Sequence, residues 1–419
     1  MRCRQSPPQG WARGQGQALA ERDKSNWTAV FFGLGLAVLA AYQQFKLPPV
    51  LPEMLDRYGY DPLMAAAFMS IFALFGLLFS VKIGTVLERG GLYAAIQAAA
   101  AMFAAGCALA LMFPANGWLV LAARSLESAA FMILALIGPT LCTRNAAQRH
   151  LPFAAALIAT WIPAGGLIAN GLALLAPTAE TWRFLWWFGI AVSALLALVT
   201  VALRRAGQVD FAMQLPAGDG QAPARSIGAL LTLAAGIFTL WSWQYFSFMT
   251  WLPEYMVREL SLSADFAILG YTVPIAMVML FCLVAAPILR RGVPIGALLA
   301  AALALQAAVW ALVPVTGAGW DGLLALLSYG VGAGLTASCL FAMPGVILGT
   351  ARTGTRAFGI LVTGRNLGVL IGPLFVAGLL ETTGSWQMAG PLLAVVTAGN
   401  AFLAVLLGLR LRRIGRTGG

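Results

Sequence analysis

The sequence predicts an all-α integral membrane protein, with twelve transmembrane helices arranged as two six-helix halves. Three observations carry this. Of the 419 residues 60% are hydrophobic and only 10% charged, against about 45–50% and about 25% in a soluble domain, and mean hydropathy is +0.85. Apolar runs of about 20 residues, enough to span a bilayer, recur along the chain between short polar connections. Displaced by 201 residues the chain matches itself, AYQQFKLPPVLPEMLDR (41–57) falling on SWQYFSFMTWLPEYMVR (242–258).

Residues 1–25 lack the apolar core of a signal peptide and read as a disordered tail, so the first helix must serve as its own insertion signal. The spans are expected at 26–47, 63–83, 92–112, 117–141, 152–176, 182–203, 227–251, 264–288, 293–314, 321–345, 357–380 and 386–409. The polar, Gly- and Pro-bearing segment 204–226 links a half at 26–203 to a half at 227–410, and 411–419 forms a second tail. Twenty of the 26 Lys and Arg fall on the side of the two tails; the opposite side holds Lys46, Arg57, Arg183 and Arg258. Positive residues mark the cytoplasmic face, so both termini are expected there. The repeat pairs Gln43 with Gln244, Phe45 with Phe246, Leu51-Pro52-Glu53 with Leu252-Pro253-Glu254, and Arg89 and Gly91 with Arg290 and Gly292. Halves related by an axis along the membrane normal place a binding site between them near the midplane.

Several classes are excluded. The net charge of +11 is scattered between apolar runs without the basic stripe that nucleic acid requires. The five cysteines form no CxxC pair and read as small packing residues, and His150 is the only histidine, so no metal is expected. No phosphate-cradling G-x-x-x-x-G-K-[ST], G-x-S-x-G or HExxH occurs, so neither an enzyme nor a cofactor is expected and any work must draw on a gradient.

Two cations and one acid are placed deep within the spans. Arg124 and Glu127, in RSLES (124–128), share a helical face. Glu127 lies about 15 Å into its span, near the midplane, where a charge costs about 2.5–3.5 kcal/mol unless it faces a partner or a wet cavity. The residues support two readings: an ion pair that neutralises itself, or a proton-coupling carboxylate tuned by its arginine. On the second, Glu127→Gln is expected to abolish proton-driven accumulation with the fold intact. Arg365, in TGRNLG (363–368) beside Asn366, presents a planar fork suited to a carboxylate or phosphate; the alternatives are pairing with Glu127 or snorkelling. Trp243, Gln244 and Tyr245 occupy the repeat position of Tyr42, Gln43 and Gln44; they line an organic-ligand pocket or serve packing alone. Trp161 and Tyr329 are further lining candidates, and Trp251 reads as an interfacial anchor.

Five stretches lie in order at matching helices: GTVLERGG (84–91) like G-x-x-x-D-R-x-G, RSLES (124–128) like R-x-x-q-G, PVLP (49–52), PAGG (163–166) and GVLIGPL (368–374). On these the chain resembles the major facilitator superfamily, twelve-helix type, nearest in motifs to drug and small-molecule exporters. The resemblance implies a proton-linked secondary transporter of a bacterial inner membrane, acting as a monomer. It would export a drug-like compound or a metabolite such as a siderophore by alternating access. Uptake of a small anion is the alternative, and a non-transporting receptor or scaffold the alternative of another class. Gly84, Glu88, Arg89 and Gly91 would form a latch between the halves, with Glu88 against a helix N-terminus where the dipole favours an anion.

Overall fold

A computed structural model describes residues 24–176, 180–211, 225–348 and 355–417; the side chains of 79–90, 148, 151–152, 155–156, 225–226, 355–358 and 414–417 fall outside the described set. The described chain is helical throughout. Its segments are α1 (Trp27–Phe45), α2 (Leu51–Tyr58), α3 (Pro62–Gly90), α4 (Leu92–Met112), α5 (Gly117–Arg144), α6 (Leu151–Ala159) and α7 (Trp161–Leu175). They continue as α8 (Thr181–Arg205), α9 (Arg225–Arg258), α10 (Ala264–Arg290), α11 (Ile295–Leu312), α12 (Trp320–Leu348), α13 (Thr355–Thr383) and α14 (Ala389–Thr417). Among the described residues ten stretches are long and apolar enough to cross a membrane, and Pro62–Leu78 and Trp161–Leu175 are shorter apolar helices. The protein is a multi-pass membrane protein.

Local chemistry sets the helix ends. Asn26, Asp61, Asn116 and Ser263 accept hydrogen bonds from the first-turn amides of α1, α3, α5 and α10, satisfying donors that a helix start leaves open. The repeated R-x-G decodes as a turn: Gly91 and Gly292 have φ of 73° and 85°, a conformation that glycine adopts without steric cost.

The first span departs from expectation. Instead of ending at 47, α1 breaks at Lys46, passes through a 3₁₀ turn at Pro48–Val50 and continues as α2 to Tyr58. Pro48 and Pro49 lack the N–H groups a continuous helix would use. The repeat-related α9 carries a single proline, Pro253, and runs unbroken to Arg258.

The two halves repeat each other's packing. Within the first, α1 lies on α5 and α7, α4 on α8, and α3 on α5; within the second, α9 lies on α13, α11 on α14, and α10 on α12. Between the halves α3 meets α13 and α7 meets α10, contacts that the repeat interchanges. Ser70 donates to the Leu370 carbonyl at 3.0 Å across the first, and Asn170 to Thr272 at 3.4 Å across the second.

One end of the bundle gathers Asn26, Asn145 and Gln208: the Asn26 amide N–H donates to the Asn145 carbonyl and its side chain to that of Gln208. The opposite end is clasped across the halves, where α2 lies on α9 and Arg258 bonds Asp56 as well as Glu254. Arg258 and Asp56 are 47% and 57% exposed, so the pair contributes about 0–1 kcal/mol. Arg258→Ala should therefore leave the unfolding midpoint unchanged, yet up to about 1 kcal/mol is about fivefold in the population of a state with this end open. Hydrogen exchange of residues 51–58 reads that population; unchanged exchange would make the clasp idle.

Candidate functional site

Placing a charge among apolar helices demands partners, and the first half supplies them from four helices. Glu127 on α5 sits fully buried between two cations, Arg124 Nη1 at 2.6 Å from one carboxylate oxygen and Lys46 Nζ at 2.8 Å from the other. Lys46 also donates to Gln43 Oε1 at 2.6 Å and to Cys107 Sγ on α4 at 3.0 Å. The Arg124 fork is spent on backbone, reaching the carbonyls of Gln43, Gln44 and Phe68 at 2.8, 3.0 and 3.2 Å. Aromatic faces close the cluster, with the Phe72 ring 4.5 Å from the guanidinium and the Trp186 ring 4.5 Å from Lys46 Nζ. Lys46, Gln43, Arg124 and Glu127 are all 0% exposed.

Lys46 corrects the sequence reading, which placed it on the outer side. The span was expected to end at 47, but the chain continues through α2 and Lys46 stays buried. The available signal was its rarity, a lysine on the side of the bundle that otherwise holds only three basic residues. Cys107, read as packing, bonds the charged cluster; no feature of its apolar surroundings distinguished it.

The second half answers with a neutral network around the repeat partner of Gln43. Gln244 Oε1 accepts from Trp310 Nε1 and from the Tyr329 hydroxyl, both at 2.7 Å, and its amide donates to Gln306 Oε1 at 2.8 Å. Gln306 donates onward to Thr336 at 3.0 Å. A lone glutamine in the apolar run ALALQAAVW was the missed signal. These groups are buried and mutually satisfied, which fixes the packing of α9, α11 and α12.

The residues expected to line a pocket thus separate into two sets. Tyr42 donates to the Leu185 carbonyl at 2.6 Å, and Gln43, Gln244 and Tyr329 are committed within their own halves. Trp161 stacks on Phe131 at 5.8 Å. Trp251 is not an interfacial anchor: it is 3% exposed, and its indole N–H donates to the Pro373 carbonyl at 3.0 Å. By contrast Gln44 Oε1, Trp243 Nε1 and Arg365 Nη2 are buried without a protein partner among the described residues. Of the latch, Gly91 ends a helix as above, while the surroundings of Gly84 and the side chains of Glu88 and Arg89 lie outside the described set.

Arg365 is half-buried and, unlike the charges of the first half, is not ion-paired among the described residues. Among the described residues no carboxylate lies within 4 Å; Glu127 is held entirely within the first half, so the pairing of Arg365 with Glu127 is not formed. One guanidinium nitrogen donates to Asn366 Oδ1 at 3.1 Å, and the group lies 5.5 Å from the Phe246 ring, with Tyr245 within Coulombic reach. Phe246 in turn meets its repeat partner Phe45 across the halves at 6.0 Å, and Asn366 fills space that Gly76 on α3 leaves free. Arg365 therefore sits where the two halves meet, beside an aromatic pair that bridges them. No group of His, Cys, Asp and Glu among the described residues could hold a metal.

The comparisons with known proteins agree with this architecture. No curated protein matches the chain. A solved structure, a bacterial homolog of the human lysosomal transporter Spinster in an inward-facing and unoccupied conformation, has the same fold: TM-score 0.66 at 13% identity, covering 92% of this chain and 94% of that one. The Major Facilitator Superfamily profile matches residues 33–355. With the duplicated halves, the buried charges and the interface between them already described, the chain belongs to the Major Facilitator Superfamily and is a transporter, not an enzyme.

Proposed function

We propose that this protein is a proton-linked secondary transporter of a small organic anion, working by rocking of two six-helix halves, with twelve crossings and both termini in the cytoplasm. The observation that carries the reading is the half-buried Arg365 guanidinium where the halves meet, one of whose nitrogens is buried and has no partner among the described residues. A planar fork so placed suits a carboxylate or phosphate, and Asn366 and the Phe246 ring lie beside it as polar and aromatic neighbours. Coupling falls to the ionic cluster of the first half, with Glu127 and Arg124 at its centre. An anion at Arg365 favours a protonated, more positive cluster in the other half, and by reciprocity the proton favours the anion. That couples the two in the same direction.

Alternating helix ends support the twelve crossings, since 26, 145 and 208 gather at one end and 56, 60, 114 and 258 at the other. The exporter-like motifs carry less weight for direction, because packing accounts for them. PVLP forms the α1–α2 break, Gly165 of PAGG lies against the backbone of α1, and the glycines of GVLIGPL lie against α9.

Proteoliposomes with an imposed pH gradient test the proposal against a panel of mono- and dicarboxylates and phosphate monoesters. Wild type should accumulate at least one with the gradient. Arg365→Gln should lower its apparent affinity by about 10- to 100-fold, the value of a charge-assisted hydrogen bond, and Arg365→Lys should recover part of it. Accumulation that is indifferent to both variants would return Arg365 to a structural role.

A further inference from the structure

The ionic cluster has a charge imbalance that determines which of its members can change protonation. Lys46 and Arg124 are two cations, Glu127 is one anion, and all three are fully buried. Arginine does not give up its proton in proteins. Protonating Glu127 would leave two cations in a dry interior with no counter-charge. Removing the thiol proton of Cys107 would leave four dry charges. Removing a proton from Lys46 leaves a neutral Arg124–Glu127 pair, the least costly of the single-proton changes.

The hydrogen-bond geometry accommodates both forms of Lys46. As an ammonium it has three donors and three acceptors around it: Gln43 Oε1, Glu127 Oε1 and Cys107 Sγ. As an amine it keeps two donors for Gln43 and Glu127 and gains a lone pair. The Cys107 thiol, at 3.0 Å, can turn its S–H towards that lone pair. Among the described residues, the titratable and charged groups facing Lys46 are Tyr42 on its own helix, Cys107 on α4, and Arg124 and Glu127 on α5; Trp186 covers it from α8. Tyr42 is committed to the Leu185 carbonyl. Lys46 also lies at the break before Pro48, beneath the α2 segment that meets the other half. Parting of the clasped end is the movement that would bring water to it.

We propose that Lys46 is the group that carries the coupled proton, with Cys107 as the hydrogen-bond partner of its free amine. The N–H bond breaks heterolytically, the electron pair stays on Nζ, and the proton passes to water. The proposal deepens the proton-linked reading above and rests on it.

The test uses the full chain in lipid nanodiscs with no anion present, so that a failure of the Arg365 reading in transport leaves it untouched. Hydrogen exchange of residues 51–58 is followed from pH 6 to 9 and corrected for intrinsic rates. Wild type should change its protection at least fivefold across this range. Lys46→Arg, which keeps the charge and cannot lose it, and Lys46→Met, which lacks it, should each be flat, at opposite levels. A response retained in Lys46→Arg, or absent from wild type, would overturn the proposal. Cys107→Val changes no charge and covers the case in which the Lys46 variants fail to fold. It should move the midpoint of the response by at least half a pH unit, and an unmoved midpoint would overturn the role given to Cys107.

Discussion

Glu127→Gln should remove about 3–5 kcal/mol of stability, the cost of breaking a buried ion pair while its partners stay charged. The sequence alone predicts an intact fold for this variant, because it shows one arginine beside one acid. The tertiary structure adds Lys46, so a glutamine faces two dry cations at once. Its oxygen can accept from one of them, but its amide group then turns donors towards the other. Adding Lys46→Met to Glu127→Gln should recover part of the loss, since a single cation remains, and the recovery measures the coupling between the two positions. The readout is the midpoint of thermal unfolding in detergent. A Glu127→Gln midpoint within about 1 °C of wild type, about 1 kcal/mol or less for a chain of this size, would mean the cluster is solvated and not dry.

Gly368→Val should be comparably damaging, by overpacking. Gly364, Gly368 and Gly372 recur every four residues along α13, and each faces the backbone of α9. A Cβ at these positions would lie 2.4, 2.1 and 2.5 Å from the carbonyl oxygens of Ala235, Thr239 and Trp243. The approach is sealed by Thr239 donating to the Gly364 carbonyl and Ser247 to that of Gly372, both at 2.9 Å. Small residues that let backbones touch are the chief source of helix association in lipid, where burial of apolar surface gives no drive. Inserting a branched side chain should cost about 1–3 kcal/mol or more and push α13 off α9. Arg365 and Asn366 would move with the helix, so transport should fall further than stability. Gly378→Ala on the same helix is the control, because nothing lies within 4 Å of a Cβ there. Equal behaviour of Gly368→Val and Gly378→Ala would show that the stripe does not hold the helices together.

Much of the fold was legible because lipid imposes simple rules. Apolar length placed most helices to within a few residues, and the match of Leu-Pro-Glu and R-x-G at one offset foretold halves that pack alike. The repeat also marked Gln43 and Gln244, which became the centres of the two buried polar networks, and Phe45 and Phe246, which became a contact between the halves. What failed was the end of the first span. It was placed at 47 with Lys46 on the outer side, whereas the chain breaks at the double proline, continues through α2 and keeps Lys46 buried.

The sequence by itself determined the membrane class, the duplication and the presence of two arginines and one acid within the spans, because these depend on composition and spacing along the chain. Only the tertiary structure decided their partners. Charges buried in lipid are satisfied by whatever lies opposite on other helices, and Lys46 and Cys107 reach Glu127 from 81 and 20 residues away. The same packing that completes Glu127 leaves Arg365 with an open nitrogen. A helix pattern records which face a residue lies on; what stands across from that face is fixed by how the helices assemble.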